Sequence, residues 1–230
     1  MEVFSMTIHE VSKALATIGC VSMTTLDSNS MHSRIISVCG GDEDGIYFLT
    51  TTIKPFYRQL KADPRVSLCG IYPSGRKDGK NADGQPYFAP GFSVRISGTV
   101  REVAQGEMEQ KADRGNAMMQ YVLEDQARYP ATRLFCIHAG KGEIFDFDFE
   151  EEFRDHKLLR TRFSFGGMTH NDAGCWITDA CVRCGECLEV CTFKAIAPGE
   201  PYRIVGERCD ECGSCATVCP ADAIEFPLTL

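Results

Sequence analysis

In "RIISV", residues 34–38, the side chains alternate in kind: Arg34, Ile36 and Val38 share one face of an extended chain, and Ile35, Ser37 and Cys39 share the other. Short runs of this sort, punctuated by turn residues, predict strands near 18–26, 33–39, 45–51, 65–72 and 92–103, with two more near 133–138 and 143–149. A helix is expected near 7–17. A short one is expected near 55–62, where Pro55 suits the first turn and Asp63–Pro64 stops it. Met108, Ala112, Met119 and Leu123 recur at helical spacing and predict one helix near 106–128. The polar, Gly-rich stretch 73–91 reads as a loop. Mostly antiparallel strands with a few helices suggest a small barrel over residues 1–160.

Past residue 175 the pattern changes to dense cysteine. "CVRCGECLEVC" (181–191) and "CDECGSCATVC" (209–219) both read C-x2-C-x2-C-x3-C. A constant offset of 28 pairs Cys181 with Cys209, Cys184 with Cys212, Cys187 with Cys215 and Cys191 with Cys219. Gly185 and Gly213, Val190 and Val218, and the "AI" pairs at 195 and 223 follow the same offset, so the tail is an internal duplication.

Composition bears on what these thiols do. The chain has 13 cysteines among 230 residues, a net charge of −8 and 43% hydrophobic residues. That acidity argues against a nucleic-acid partner. There is neither a long apolar run nor a charged-then-apolar leader, so no membrane span is expected and the expected compartment is the cytoplasm. Thiols there stay reduced, so clustered cysteines point to metal or redox chemistry rather than to disulfides.

The spacing has a geometric reason. Three thiolates on one short loop each reach a different iron of a cube, and Gly185 or Gly213 lets the backbone curl round it. The fourth cysteine starts a short helix and points to the other cube. The expected sets are therefore Cys181, Cys184, Cys187 and Cys219 for one cluster, and Cys209, Cys212, Cys215 and Cys191 for the other. A zinc ribbon would leave the third cysteine of each triplet unused. Residues 175–230 resemble the bacterial-type two-[4Fe–4S] ferredoxin family over their whole length, departing at Thr192, where the second run has Pro220. Trp176 and Tyr202 precede the triplets and are expected to cover the clusters from water.

One anion site is legible in the first 160 residues. In "TTTIKPFYRQL", Thr50, Thr51, Thr52 and Lys54 stand just before the positive end of the predicted helix, where a phosphate is stabilised. With "RIISV" upstream, then "ADPRVSLCG" and "FSVRISGTV", residues 31–104 resemble in order and spacing the FMN-binding split-barrel family that includes pyridoxamine 5'-phosphate oxidase. The resemblance implies a homodimer with FMN at the interface. Arg34 would meet the flavin phosphate together with Thr50, Thr51, Thr52 and Lys54. The backbone of Ile35, Ile36 and Ser37 would line the ring edge, and Ser93, at a family glutamine position, would approach from the other subunit. Pro55–Phe56 stand where the oxidase has an Arg–Lys pair, so the oxidase's own substrate chemistry does not carry over.

The whole chain is then an FMN-binding split β-barrel (1–160), a linker (161–174) and a small α+β ferredoxin-type 2[4Fe–4S] domain (175–230). Its expected role is that of an iron–sulfur flavoprotein oxidoreductase of anaerobic redox metabolism. It would move electrons between two [4Fe–4S] clusters and FMN, toward a small molecule or a redox protein partner. A pure electron carrier and a redox or oxygen sensor are the alternatives. Residues 175–230 carry nine acidic against four basic side chains, a surface suited to basic redox proteins. No nucleophile with a paired base is visible, and the five histidines show no ligand spacing; His32 shares the strand face of Arg34. Cys20, Cys39, Cys69 and Cys136 are expected to be buried, inert thiols, and Cys175 a spare thiol near a cluster.

Overall fold

Thr7 starts the first helix, α1 (Ile8–Ile18), in a computed structural model that describes residues 6–73, 90–147 and 158–226. The Thr7 hydroxyl accepts from the Glu10 amide at 3.3 Å, and the Glu10 carboxylate accepts from the Thr7 amide at 2.7 Å, a reciprocal capping box. Val11 and Leu15, one turn apart, bury this helix against the barrel core.

Seven antiparallel strands follow: β1 (Cys20–Asp27), β2 (Ser30–Asp42), β3 (Gly45–Thr51), β4 (Arg65–Pro73), β5 (Pro90–Glu102), β6 (Thr132–Asp146) and β7 (Leu159–Phe165). They run in the order β3-β2-β1-β4-β5-β6-β7, and a further β3–β6 pairing closes the first six into a barrel. Closure removes the exposed edges that an open sheet would carry. Val21, Met23, Phe48, Leu68, Ile96, Ile144 and Phe163 point inward from alternate positions and form the core. Phe48 stacks between Phe56 and Phe135, each ring centroid 5.8 Å away.

The first strands and the short helix α2 (Pro55–Ala62) stand where the sequence predicts them. Three expectations need correction. The helix of 106–128 is two, α3 (Gln105–Asp113) and α4 (Ala117–Arg128). Gly115, at φ +90°, breaks it, and Asn116 recaps it by accepting from the Met119 amide at 3.2 Å. The apolar spacing runs through the break because Met108 and Met119 pack into one cluster under β3 and β6. The two strands of 133–138 and 143–149 are the single β6, which ends at Asp146 among the described residues. Gly142 does not interrupt it; a Cβ there would meet the Arg95 carbonyl oxygen at 2.1 Å, so close strand approach requires the glycine. The expected linker, 161–174, opens as strand, because β7 runs to Phe165 beside β6.

Cys136 is buried as expected, but Cys20, Cys39 and Cys69 are exposed. Cys20 and Cys69 neighbour the inward Val21 and Leu68, so strand alternation turns them to the outer face. Most of the expected 73–91 loop, and residues 148–157 after β6, lie outside the described residues. No helix among the described residues is long and apolar enough to cross a membrane.

The C-terminal unit is built from two short ribbons and two helical turns. β8 (Trp176–Ile177) pairs with β11 (Ile224–Glu225), and β9 (Ile196–Ala197) pairs with β10 (Arg203–Ile204). Between them lie α5 (Glu186–Val190) and α6 (Ser214–Thr217), so Cys191 and Cys219 follow helical turns rather than start them, because Gly185 and Gly213 begin each turn at the third cysteine. The backbone repeats as the sequence does: left-handed φ occurs at Arg183 (+60°) and Glu211 (+58°), and at Lys194 (+51°) and Asp222 (+48°).

Candidate cofactor sites

Each cysteine run wraps a loop over the start of a helical turn. Gly185 and Gly213, both left-handed, cap α5 and α6 and turn the backbone inward. The thiols of the two runs interleave. Cys181, Cys184 and Cys187 line one pocket with Cys219; Cys209, Cys212 and Cys215 line the other with Cys191. The structure thus brings together both crossed sets read from the spacing. The fourth sulfurs are held alike: Cys191 Sγ accepts from the Ala195 amide and Cys219 Sγ from the Ala223 amide, each at 3.3 Å. Among the described residues no three Cys, His, Asp or Glu side chains are gathered closely enough to hold one metal ion. Four thiols in each crossed set match the number of ligands that a [4Fe–4S] cube takes.

Tyr202 lines the first pocket, as expected of a cover. Trp176 does not cover a cluster: it is an exposed side chain whose indole N–H donates to Glu225 at 2.9 Å. Cys175 is buried and lines the second pocket beside Cys209. A hydrogen bond from the Cys175 thiol lowers Cys209 below the usual thiol range and raises Cys175 above it.

The second loop also meets the barrel. Glu211, between Cys209 and Cys212, pairs with Arg160 and, at 2.6 Å, with Arg162, both on β7. Arg160 Nη2 donates to the Asp210 carbonyl at 3.0 Å, and Arg162 Nη1 donates to the Asp172 carbonyl at 2.6 Å. Glu143 on β6, fully buried, lies 3.2 Å from Arg162 Nε. Where Ala173–Gly174 crosses Gly206, a Cβ on Gly206 would meet the Ala173 carbonyl oxygen at 2.0 Å. The sequence reading missed this seam. The alternating R-x-R of "LRTRF" was the available signal, because two arginines facing one way from a strand need an anionic partner.

The anion corner forms on the barrel. Arg34 lies over the Phe56 ring at 4.4 Å, which brings it to the first turn of α2. It donates to Thr25 Oγ1 at 2.7 Å, to Gln59 Oε1 at 2.8 Å and to the Met23 carbonyl at 3.4 Å, leaving the rest of its five N–H donors for a ligand. Burial lowers the Arg34 pKa, so an anion would be welcome there. Lys54 is the N-cap of α2 and is exposed, and no side chain caps that helix. Thr50 Oγ1 is buried without a hydrogen-bond partner, while Thr51 and Thr52 are half-buried. An orphaned hydroxyl, an uncapped helix start and a guanidinium fit a phosphate group. Ile35 and Ser37 are exposed on the outer face of β2, with Ile36 half-buried on the Arg34 side. Thr25 and Gln59, which hold the arginine, were not legible in the sequence. Ser93 is not brought to this corner: it is on β5, and β2 and β5 lie three strands apart either way round the barrel.

A family model described as pyridoxamine 5'-phosphate oxidase matches residues 7–145, and one described as a 4Fe-4S binding domain matches residues 202–225. No curated protein matches the chain. Among solved structures, a NimC/NimA family protein from Clostridium acetobutylicum is similar at 15% identity over 71% of this chain and 96% of that one, with a TM-score of 0.47. An FMN-binding, pyridoxamine 5'-phosphate oxidase-related protein from Nostoc punctiforme is similar at 14% identity over 66% and 84%, with a TM-score of 0.43. PhzG from Burkholderia lata is similar at 15% over 65% and 80%, with a TM-score of 0.40.

Proposed function

The chain belongs to the pyridoxamine 5'-phosphate oxidase family, and from that premise we propose that it is an iron–sulfur flavoprotein oxidoreductase holding FMN and two [4Fe–4S] clusters. The observation that carries this reading is the interleaving of the two cysteine runs into two pockets, each taking four thiols of the runs and the second also Cys175, on a chain that also builds a phosphate corner. When bound, the clusters supply one-electron transfer, and FMN accepts single electrons and gives up two as a hydride. Arg34, Thr50 and the start of α2 hold the flavin phosphate; Lys54 adds charge from the rim. Exposed Ile35 and Ile53 offer apolar surface beside that corner. The electron source is a one-electron redox protein, and the acceptor is a small molecule at the open face of the ring.

The functional unit is a homodimer. Met31 and Ile35 on β2 and Ile71 on β4 are large, exposed apolar side chains on one outer sheet face, which a second copy would cover. In such a dimer Ser93 reaches the flavin held by the partner. Ser93 pairs across strands with Phe145, and Phe145 pairs with Arg160 at the iron–sulfur seam. The clusters of one chain therefore serve the flavin held by the other.

Anaerobic purification with iron, sulfide and flavin assays tests the reading. The expected protein is brown, with about eight irons and one flavin per chain. Material that takes up zinc alone, or iron without flavin, counts against it.

A further inference from the structure

The duplication is broken at one place, and the break has a direction. The second loop carries Asp210–Glu211 where the first carries Val182–Arg183, in matching backbone geometry. Val182 is 63% exposed and Arg183 pairs with Glu200 at the surface. Asp210 and Glu211 turn instead to Arg160 and Arg162, whose side chains are 2% and 3% exposed. Gly174 adds its amide to Glu211 Oε1 at 2.8 Å, so the carboxylate is gripped from three sides. Arg160 also lies over the Phe145 ring at 4.1 Å, and its Nε is buried without a hydrogen-bond partner. Arg95 completes the group, 2.5 Å from Glu143.

We propose that Arg160 and Arg162 are positioning residues that dock the second cysteine loop on the barrel and act through their buried charge on the cluster held there, while the first cluster faces outward toward the external redox partner. This rests on the iron–sulfur reading above. Cluster potentials respond to nearby charge, hydrogen bonding and solvent exposure. Arg160 is bonded to the Asp210 carbonyl, next in the chain to the ligand Cys209, at 3.0 Å, and a guanidinium shielded from water favours the reduced, more negative cluster. Among the described residues nothing comparable stands at the first loop, whose arginine is half exposed. The two clusters thus become an ordered pair: electrons enter at the outer one and leave through the one at the seam.

The test is an anaerobic potentiometric titration followed by electron paramagnetic resonance, on full-length, iron-loaded protein. Arg160→Met should reduce the reduced fraction of one cluster about tenfold at fixed potential, about 59 mV for one electron, and leave the other unmoved. Glu211→Gln should shift the same cluster in the opposite direction. Opposite signs at one cluster are not what general loosening of the fold produces. If Arg160→Met fails to load iron, Glu211→Gln decides alone. Two clusters that load normally and do not move, or that move together, overturn the docking role and leave the flavoprotein reading standing. Wild-type protein that binds no iron overturns that reading first.

Discussion

Arg34 donates to the Gln59 side-chain oxygen at 2.8 Å, and that bond ties β2 to α2 across the site assigned to the flavin phosphate. Gln59 is buried and its oxygen also accepts from Thr25 Oγ1 at 2.8 Å, so two linked side chains fix the guanidinium over Phe56. Arg34→Ala should lose a charged donor and weaken flavin binding by about 1.5–3 kcal/mol, roughly 10- to 150-fold. Gln59→Leu should weaken it less, by freeing the arginine to wander. Fluorescence titration with FMN reads both. Equal affinity in wild type and Arg34→Ala would remove the corner from the site, and iron content should not change in either variant.

The crossed thiol pockets separate sequence neighbours. Cys219 lies in the second run but lines the first pocket, and Cys191 does the reverse. Cys219→Ala and Cys184→Ala should therefore erase the same cluster signal, and Cys191→Ala and Cys212→Ala the other. Each variant should fall from about eight irons toward four. If Cys219→Ala instead matched Cys212→Ala in its spectrum, the ligands would not be crossed.

Burial divides the cysteines outside the two runs. Cys136 is fully buried, and desolvation pushes its thiol up to about 12 from 9.0. The folded chain keeps a proton there that the unfolded chain releases, so stability should fall as pH rises from 9 toward 12. At pH 8.5 iodoacetamide should label Cys20 and Cys69 in the native protein and leave Cys136 unlabelled until denaturant is added. Mass spectrometry of the peptides decides it. Rapid native labelling of Cys136 would mean that β3 and β6 open far more readily than their packing implies.

How much of this was legible in the sequence depends on what kind of force sets each feature. The grouping of the thiols into two crossed pockets was, because the spacing is a local constraint and the duplication states it twice. The helix at Pro55 was, because proline and Asp63–Pro64 mark both its ends. The break at Gly115 was not: Met108 and Met119 keep helical spacing across it, since both helices pack on one cluster. The strand at Leu159–Phe165 was not, because its outward arginines look solvated until a second unit lands on them. Burial of Cys20 and Cys69 was misjudged for a related reason. Alternation gives two faces but does not say which is inner, and a single cysteine adds too little apolar weight to decide.

In the proposed homodimer the seam sets which flavin the clusters would serve, and mixed dimers turn that into an experiment. β2, with its share of the phosphate corner, and β5, next to β6 and the iron–sulfur seam, lie on opposite sides of the barrel. In the proposed homodimer, a chain's clusters then stand beside the flavin that its partner grips. One chain would carry Arg34→Ala, which spares the clusters; the other would carry Cys184→Ala with Cys212→Ala, which spares the flavin corner. Each homodimer alone should show little cluster-dependent flavin reduction. In the mixed dimer the chain that keeps its clusters lacks a good flavin, and the chain that keeps its flavin lacks clusters. Delivery across the interface should restore about half of the sites, read as flavin bleaching under a one-electron donor in stopped flow. Mixed dimers as inactive as their parents, with the double variant in cis to a wild-type chain still half active, would show that each chain feeds its own ring.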